Sequence, residues 1–152
     1  MIDLPCRILS EVIWMMISTR GRYALRVMVD LAEHQAGEPI PMKDVAERLG
    51  ISLKYLERIL PALSKSHYIE GTHGKGGGYR LTRPPEEYKV GEILRLVEGG
   101  LAPVSCSECT SGSCERVDSC RTVELWSGLT QVVNDYLDRY TVADLMQKSD
   151  RE

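Results

Sequence analysis

The chain has no uninterrupted apolar run of about eighteen residues, which excludes a membrane-spanning helix. It also lacks the marks of a secretory leader. The short apolar patch in MIDLPCRILSEVIWMM is broken by Asp3, Arg7 and Glu11, and no small-residue cleavage site follows. Both absences point to the cytoplasm, where thiols stay reduced. No carboxylate pair and no Ser-His-Asp set stands out. The histidines, His34, His67 and His73, are scattered, so catalysis is not expected. There is no internal repeat, and no excess of positive charge: the net charge is −3.

What is present reverses the last impression. Lys43 to Arg83 holds eight Lys or Arg and four acids, whereas Pro84 to the end holds seven bases and thirteen acids. A basic block of this kind can meet phosphates while the acidic remainder faces elsewhere. At 152 residues and 43% hydrophobic content, the chain can bury one core of ordinary size.

The pattern is mostly helical. Ser18 or Thr19 can cap a first helix running to about His34, with Ala24, Leu25, Met28, Leu31 and Ala32 on its apolar face. Pro39 to Pro41 reads as extended. A second helix covers about Met42 to Leu49, with Val45, Ala46 and Leu49 inward. Gly50 turns the chain, and Ser52 caps a third helix with the stripe Leu56, Ile59, Leu60 and Leu63. Pro61 is expected to bend or divide that helix, at about 3 kcal/mol if interior. Two strands, about Tyr68–Thr72 and Tyr79–Thr82, flank the glycine-rich tip HGKGGG. A short helix follows from Val90 to Glu98, closed by Gly99 and Gly100. A long one is expected from Val123 to Tyr140, with Trp126, Leu129, Val133, Tyr136, Leu137 and Tyr140 along one side. Thr141 and Asp144 form a capping box for a last short helix.

Ala46 to Ser52 fits a helix-turn-helix: a small residue where helices cross, a turning glycine, and Ile51 as a core plug. The start of the third helix then offers Ser52, Lys54, Tyr55, Glu57 and Arg58 to a major groove. The glycine tip lacks the spacing and the Lys-Ser/Thr of a nucleotide loop. It reads instead as a wing, with His73, Lys75 and Arg80 carrying positive charge towards DNA.

Four of the five cysteines, Cys106, Cys109, Cys114 and Cys120, fall within the polar segment PVSCSECTSGSCERVDSC. Thiolates this close can converge on one centre because closing short loops costs little entropy. An iron–sulfur cluster suits them first, with structural zinc, a reversible disulfide or thiols without a ligand as alternatives.

The segments ISTRGRYALRVMVDLAEH (17–34), VAERLGISLKYLERIL (45–60), GKGGGYRL (74–81) and VGEILRLVEG (90–99) resemble the Rrf-two family of winged-helix regulators, the group of IscR, NsrR and CymR. CRTVELW and TVADL fit as well. The resemblance implies a mainly α fold with a small β-wing, a winged helix-turn-helix plus a long C-terminal dimerisation helix. Its partners would be double-stranded DNA with a palindromic operator and a second copy of the chain; no membrane is implied. Residues 1–16 form an extension or a misassigned start, 17–84 the DNA-binding domain, 85–102 a connecting helix, 103–122 the cluster loop, and 123–152 the dimerisation helix and tail. Iron–sulfur members use three loop cysteines and one other ligand. Cys114 and Cys120 match the second and third cysteines, and Cys106 or Cys109 the first. Val123 stands where IscR-like members carry a histidine ligand, and Arg22 where NsrR-like members carry an acidic one. All four cysteines can therefore share the cluster, of 2Fe-2S type before 4Fe-4S, or another ligand can complete it. The function implied is a dimeric regulator sensing iron–sulfur status, redox or nitric oxide. The alternative is a small zinc or thiol-redox protein whose helix-turn-helix binds protein.

Overall fold

Ser18 opens the first helix by a double use of its hydroxyl. Its Oγ accepts from the Gly21 N–H at 3.2 Å and donates to Glu98 Oε1 at 2.8 Å, while the Ser18 N–H reaches the same carboxylate at 3.0 Å. One capping residue thus starts α1 (Thr19–His34) and pins it to the far end of α4 (Val90–Glu98). Gly21 is what allows the approach, since a Cβ there would stand 2.1 Å from Glu98 Oε1. The computed structural model describes residues 17–74, 76–104 and 119–146. Residues 1–16, which include Cys6, lie outside the described residues, as do Lys75, Cys106, Cys109 and Cys114.

The remaining elements are α2 (Met42–Leu49), α3 (Leu53–Lys65), β1 (Ile69–Thr72), β2 (Gly78–Leu81), a 3-10 turn at Pro85–Glu87, α5 (Val123–Leu137) and α6 (Val142–Met146). The architecture is therefore mainly helical with one small antiparallel hairpin, as the sequence pattern predicts. No helix among the described residues is long and apolar enough to cross a membrane.

The core forms where α1, α3 and α4 meet. Ala24, Val27, Met28 and Leu31 from α1 pack with Leu56, Ile59 and Leu63 from α3 and Ile93 from α4, all fully buried. Leu25 and Ala32, expected on the inward face of α1, are only partly buried against this cluster; Val27 takes the central place. Between α2 and α3, Gly50 adopts φ 64, a conformation that costs other residues a steric penalty. Ile51 donates back to the Ala46 carbonyl at 3.0 Å, and the Ser52 Oγ caps α3 by accepting from Tyr55 N–H at 3.2 Å. Asp30, the buried charged residue of α1, accepts both arms of the Arg48 guanidinium at 2.8 and 2.7 Å. This bidentate pair fixes α2 on α1, and the Asp30 hydrogen bonds hold Arg48 above its ordinary basicity.

Two predicted details change and one is narrowed. Helix α3 runs without interruption across the exposed Pro61 to Lys65, so the proline does not divide it. Its stop comes later, where His67 takes a positive φ of 56 and Tyr68 N–H reaches the Leu63 carbonyl at 2.9 Å. The strands are Ile69–Thr72 and Gly78–Leu81, each shifted by one residue from the expected hairpin at one or both ends. Helix α5 ends at Leu137 and not at Tyr140, because the chain turns there to pair with another segment: the Tyr140 carbonyl accepts from Val90 N–H and the Tyr88 carbonyl from Val142 N–H, both at 2.9 Å. The Thr141–Asp144 capping box forms as expected, with reciprocal bonds of 2.7 and 3.2 Å.

The hairpin is tied to the body along β2. Beyond its pairing with β1, β2 exchanges two backbone hydrogen bonds with Ile40, at 2.8 and 2.9 Å. Gly78 makes this possible, because a Cβ would lie 2.2 Å from the Ile40 carbonyl oxygen. Tyr88, fully buried, gathers the loop that follows: its hydroxyl donates to the Tyr68 carbonyl at 2.8 Å and accepts from the Thr82 and Arg83 N–H groups at 3.0 and 2.9 Å.

Candidate DNA interface and cysteine segment

With Leu56, Ile59, Leu60 and Leu63 turned inward, the opposite face of α3 must look outward. Lys54, Glu57 and Arg58 are all exposed there, on the first turns of the helix. Ser52 is exposed too, but its Oγ is engaged in the cap. Tyr55 is half-buried on the flank of α3, where its ring meets the Tyr23 ring edge-on, with centroids 5.6 Å apart. Arg26 of α1 lies over the Tyr23 ring, 5.0 Å from the centroid. The sequence pattern singles out neither Tyr23 nor Arg26. The only available signal is an aromatic one turn ahead of an arginine on a capped helix.

The wing projects beside this surface. Its tip uses positive φ at Gly74 and Gly76, and His73 is exposed. Arg80 is exposed as well, but it is paired with Glu70, its direct cross-strand neighbour. Part of the charge expected to face DNA is therefore compensated inside the hairpin. Arg83, at the wing base, is stacked over the rings of Tyr68 and Tyr88 at 5.0 and 4.7 Å. Burial and the nearby Glu92 carboxylate push the Tyr68 hydroxyl above its usual range.

Of the loop cysteines, Cys120 is the one that can be placed. It is half-exposed and stands immediately before α5, where its carbonyl accepts from Val123 N–H at 3.4 Å. Its Sγ lies 3.4 Å from Thr122 Oγ1. Hydrogen bonds from the Thr122 side chain, then from the backbone at Thr122 and Val123, lower its pKa and favour the thiolate, the form that ligates metals. No three potential ligands cluster among the described residues.

Helix α5 is fastened to the rest at one end. Arg95 of α4 donates to Asn134 Oδ1 at 2.6 Å and to Asp138 Oδ1 at 2.7 Å. Gly91 permits that approach, since a Cβ would meet Asp138 Oδ1 at 2.0 Å. None of the residues of α5 is buried. Within the expected apolar stripe, Trp126, Leu129, Val133 and Leu137 are half-buried, while Tyr136 and Tyr140 are exposed. The most open apolar side chains, Leu125 at 62% and Val132 at 64% exposure, fall outside that stripe. Leu125, Leu129, Val132 and Tyr136 recur at alternating spacings of four and three, the seam spacing of paired helices.

Known proteins match this arrangement. The sequence pattern of the Rrf2 family, described as an iron-dependent transcriptional regulator, matches residues 17–148. The chain is 38% identical over 133 residues to protein rrf2 of Nitratidesulfovibrio vulgaris, covering 88% of each chain. Its fold is similar to that of CymR, the global cysteine regulator of B. subtilis, with a TM-score of 0.71 and 31% identity over 89% of this chain and 98% of that one. It is similar to T. potens IscR with a TM-score of 0.70 and 32% identity, over 89% of this chain and 88% of the other.

Proposed function

The chain belongs to the Rrf2 family and is a DNA-binding transcriptional regulator, not an enzyme; from that premise we propose that it works as a cytoplasmic homodimer that reads a palindromic operator and reports the state of an iron–sulfur cluster held by its cysteine segment. Lys54, Glu57 and Arg58 of α3 address base edges, Tyr55 on the flank of α3 faces the sugar–phosphate backbone, and His73 and Lys75 of the wing address the neighbouring backbone or minor groove. Ser52 acts mainly through the cap, and Arg80 mainly through Glu70.

The observation that carries the sensing half is the position of Cys120. A thiol biased towards thiolate stands at the start of α5, and the other end of α5 is bonded through Arg95 to α4, which packs on α1 and α3. The donor set suits the group: four cysteines, Cys106, Cys109, Cys114 and Cys120, at spacings short enough to converge. When bound, the cluster supplies a redox-active, charged centre whose presence depends on iron, sulfide and oxidants. This chain's own residues do the rest. The cysteine segment sets the entry of α5, the open face of α5 pairs with a second copy, and Arg95 passes its orientation to the DNA module. Two recognition helices then meet half-sites about one helical turn apart in better or worse register.

Anaerobic purification with iron and sulfide counts and a visible absorption spectrum tests the cofactor. Matched titrations of loaded and stripped protein, on one duplex selected by the protein from a random pool, test the coupling. The expected difference in affinity is about fivefold to a hundredfold. Equal affinities would sink the sensing reading. Zinc without iron or sulfide would reassign the cysteines.

A further inference from the structure

We propose that Arg26 and Tyr23 of α1 form a phosphate seat beside the recognition helix, taking one phosphodiester of the DNA backbone. The proposal rests on the placement of α3 in the major groove. A helix in that groove lies between two sugar–phosphate strands about 12 Å apart, so the flanks of the helix look towards phosphates while its outer face looks at bases. Tyr55 occupies one flank of α3. Its ring is continued by Tyr23 at 5.6 Å, and Tyr23 is capped by the Arg26 guanidinium at 5.0 Å. The three side chains make one continuous ledge running from the reading helix onto α1.

The charge at the end of that ledge is unspent. Arg48 is neutralised by Asp30, Arg80 by Glu70 and Arg95 by Asp138. Arg26 is exposed and has no carboxylate partner among the described residues. A ring face fixes the position of a guanidinium but leaves its N–H donors free for a phosphate oxygen. Holding the side chain in place beforehand reduces the entropy lost on binding. Such a contact strengthens binding to any duplex and carries no sequence information.

The test uses the full chain and two probes: the selected duplex, and a mixed-sequence duplex of about three helical turns. Neutralising one phosphate contributes about 0.9 to the slope of log affinity against log salt. In the proposed homodimer Arg26→Gln removes one such contact from each protomer and should lower the slope by about 1.8 on both probes. Between about 50 and 200 mM salt the wild type should then lose about tenfold more affinity than the variant. Arg26→Lys should restore the slope. Thermal unfolding of both variants should match the wild type, because the residue is exposed. An unchanged slope in Arg26→Gln overturns the seat even if affinity falls. Lys54→Ala and Arg58→Ala separate the two levels. If they weaken binding while Arg26→Gln leaves the slope intact, the seat alone fails. If they leave binding to both probes untouched, the groove placement of α3 fails, and the seat with it.

Discussion

Helix α3 buries Leu56, Ile59, Leu60 and Leu63 within its own chain, whereas the longer α5 buries none of its residues. Both are amphipathic, and both carry branched apolar side chains at helical spacing. They differ in what lies opposite. Around α3, the helices α1 and α4 and strand β1 are close at hand, so its stripe completes a core. Against α5, among the described residues, α4 makes its contact near Asn134 and Asp138, and Leu125, Val132 and Tyr136 stand in solvent. An apolar face of this kind has no reason to persist in a monomer, and in the proposed dimer a second α5 closes it. One region has a finished core; the other leaves an apolar face open among the described residues.

The comparison breaks most directly at the two cores. Leu56→Ala should cost about 2–5 kcal/mol in denaturant unfolding, because it opens a cavity in a filled interior. Leu125→Ala should leave the unfolding of the DNA module nearly unchanged at high protein concentration and lower it on dilution. Equal losses that do not depend on concentration would show that α5 belongs to the same core after all.

A charge on the open seam should act next most strongly. Val132→Asp is expected to weaken self-association by about 2 kcal/mol or more, roughly thirtyfold, read by sedimentation across a dilution series. The position is preferable to Val133, where half-burial in the monomer confuses folding with assembly. A dimer undisturbed by this substitution would move the interface elsewhere.

The bond between the regions should matter less. Arg95→Ala removes two hydrogen bonds to α5 and is expected to cost about 1 kcal/mol, since the groups are partly exposed. Faster amide exchange should appear in the last turns of α5 and spare α3. Spread of that change evenly over both helices would mean that Arg95 serves the core and not the joint.

The smallest effect concerns pH. The Thr141 backbone N–H and hydroxyl hold the Asp144 carboxyl below its ordinary range. A carboxyl whose folded pKa is depressed contributes stability above the unfolded carboxylate pKa and loses it as pH falls through the lower, folded value. The start of α6 should therefore fray slightly in acid, below the usual aspartate range, with no change near neutrality. Thr141→Ala should remove this dependence in an NMR titration; its survival would assign the acid effect to another group.

The readable part of the fold is the part governed by neighbours in sequence. Ser52, Gly50, Thr141 with Asp144, and the whole of α4 follow the sequence pattern because caps, turns and helical periodicity act over a few residues. The end of α5 is not readable, because it is set by Val90 and Arg95, far away in the chain. The site shows the same division. The exposure of Lys54, Glu57 and Arg58 is legible from their offset to the turn, but the Arg80–Glu70 pair depends on strand register and the Tyr55–Tyr23–Arg26 ledge on how two helices cross. Cys106, Cys109 and Cys114 are legible only as chemistry, by type and spacing.

The close approach of Gly78 to Ile40 carries a consequence for how such wings can be exchanged. The hairpin is welded to the body at Ile40 and Tyr79, just past the exposed tip that begins at His73 and Gly74. Open space surrounds the turn at Gly74 and Gly76, whereas a Cβ at Gly77 would already meet the Thr72 carbonyl oxygen at 2.3 Å. Length can therefore drift, or a new tip be grafted, between His73 and Gly76 without disturbing the weld. A single methyl at position 78 would pry it open. The tip is a replaceable fitting on a fixed mount, and a designer grafting a new tip should cut the chain ahead of Gly77 and never at Gly78.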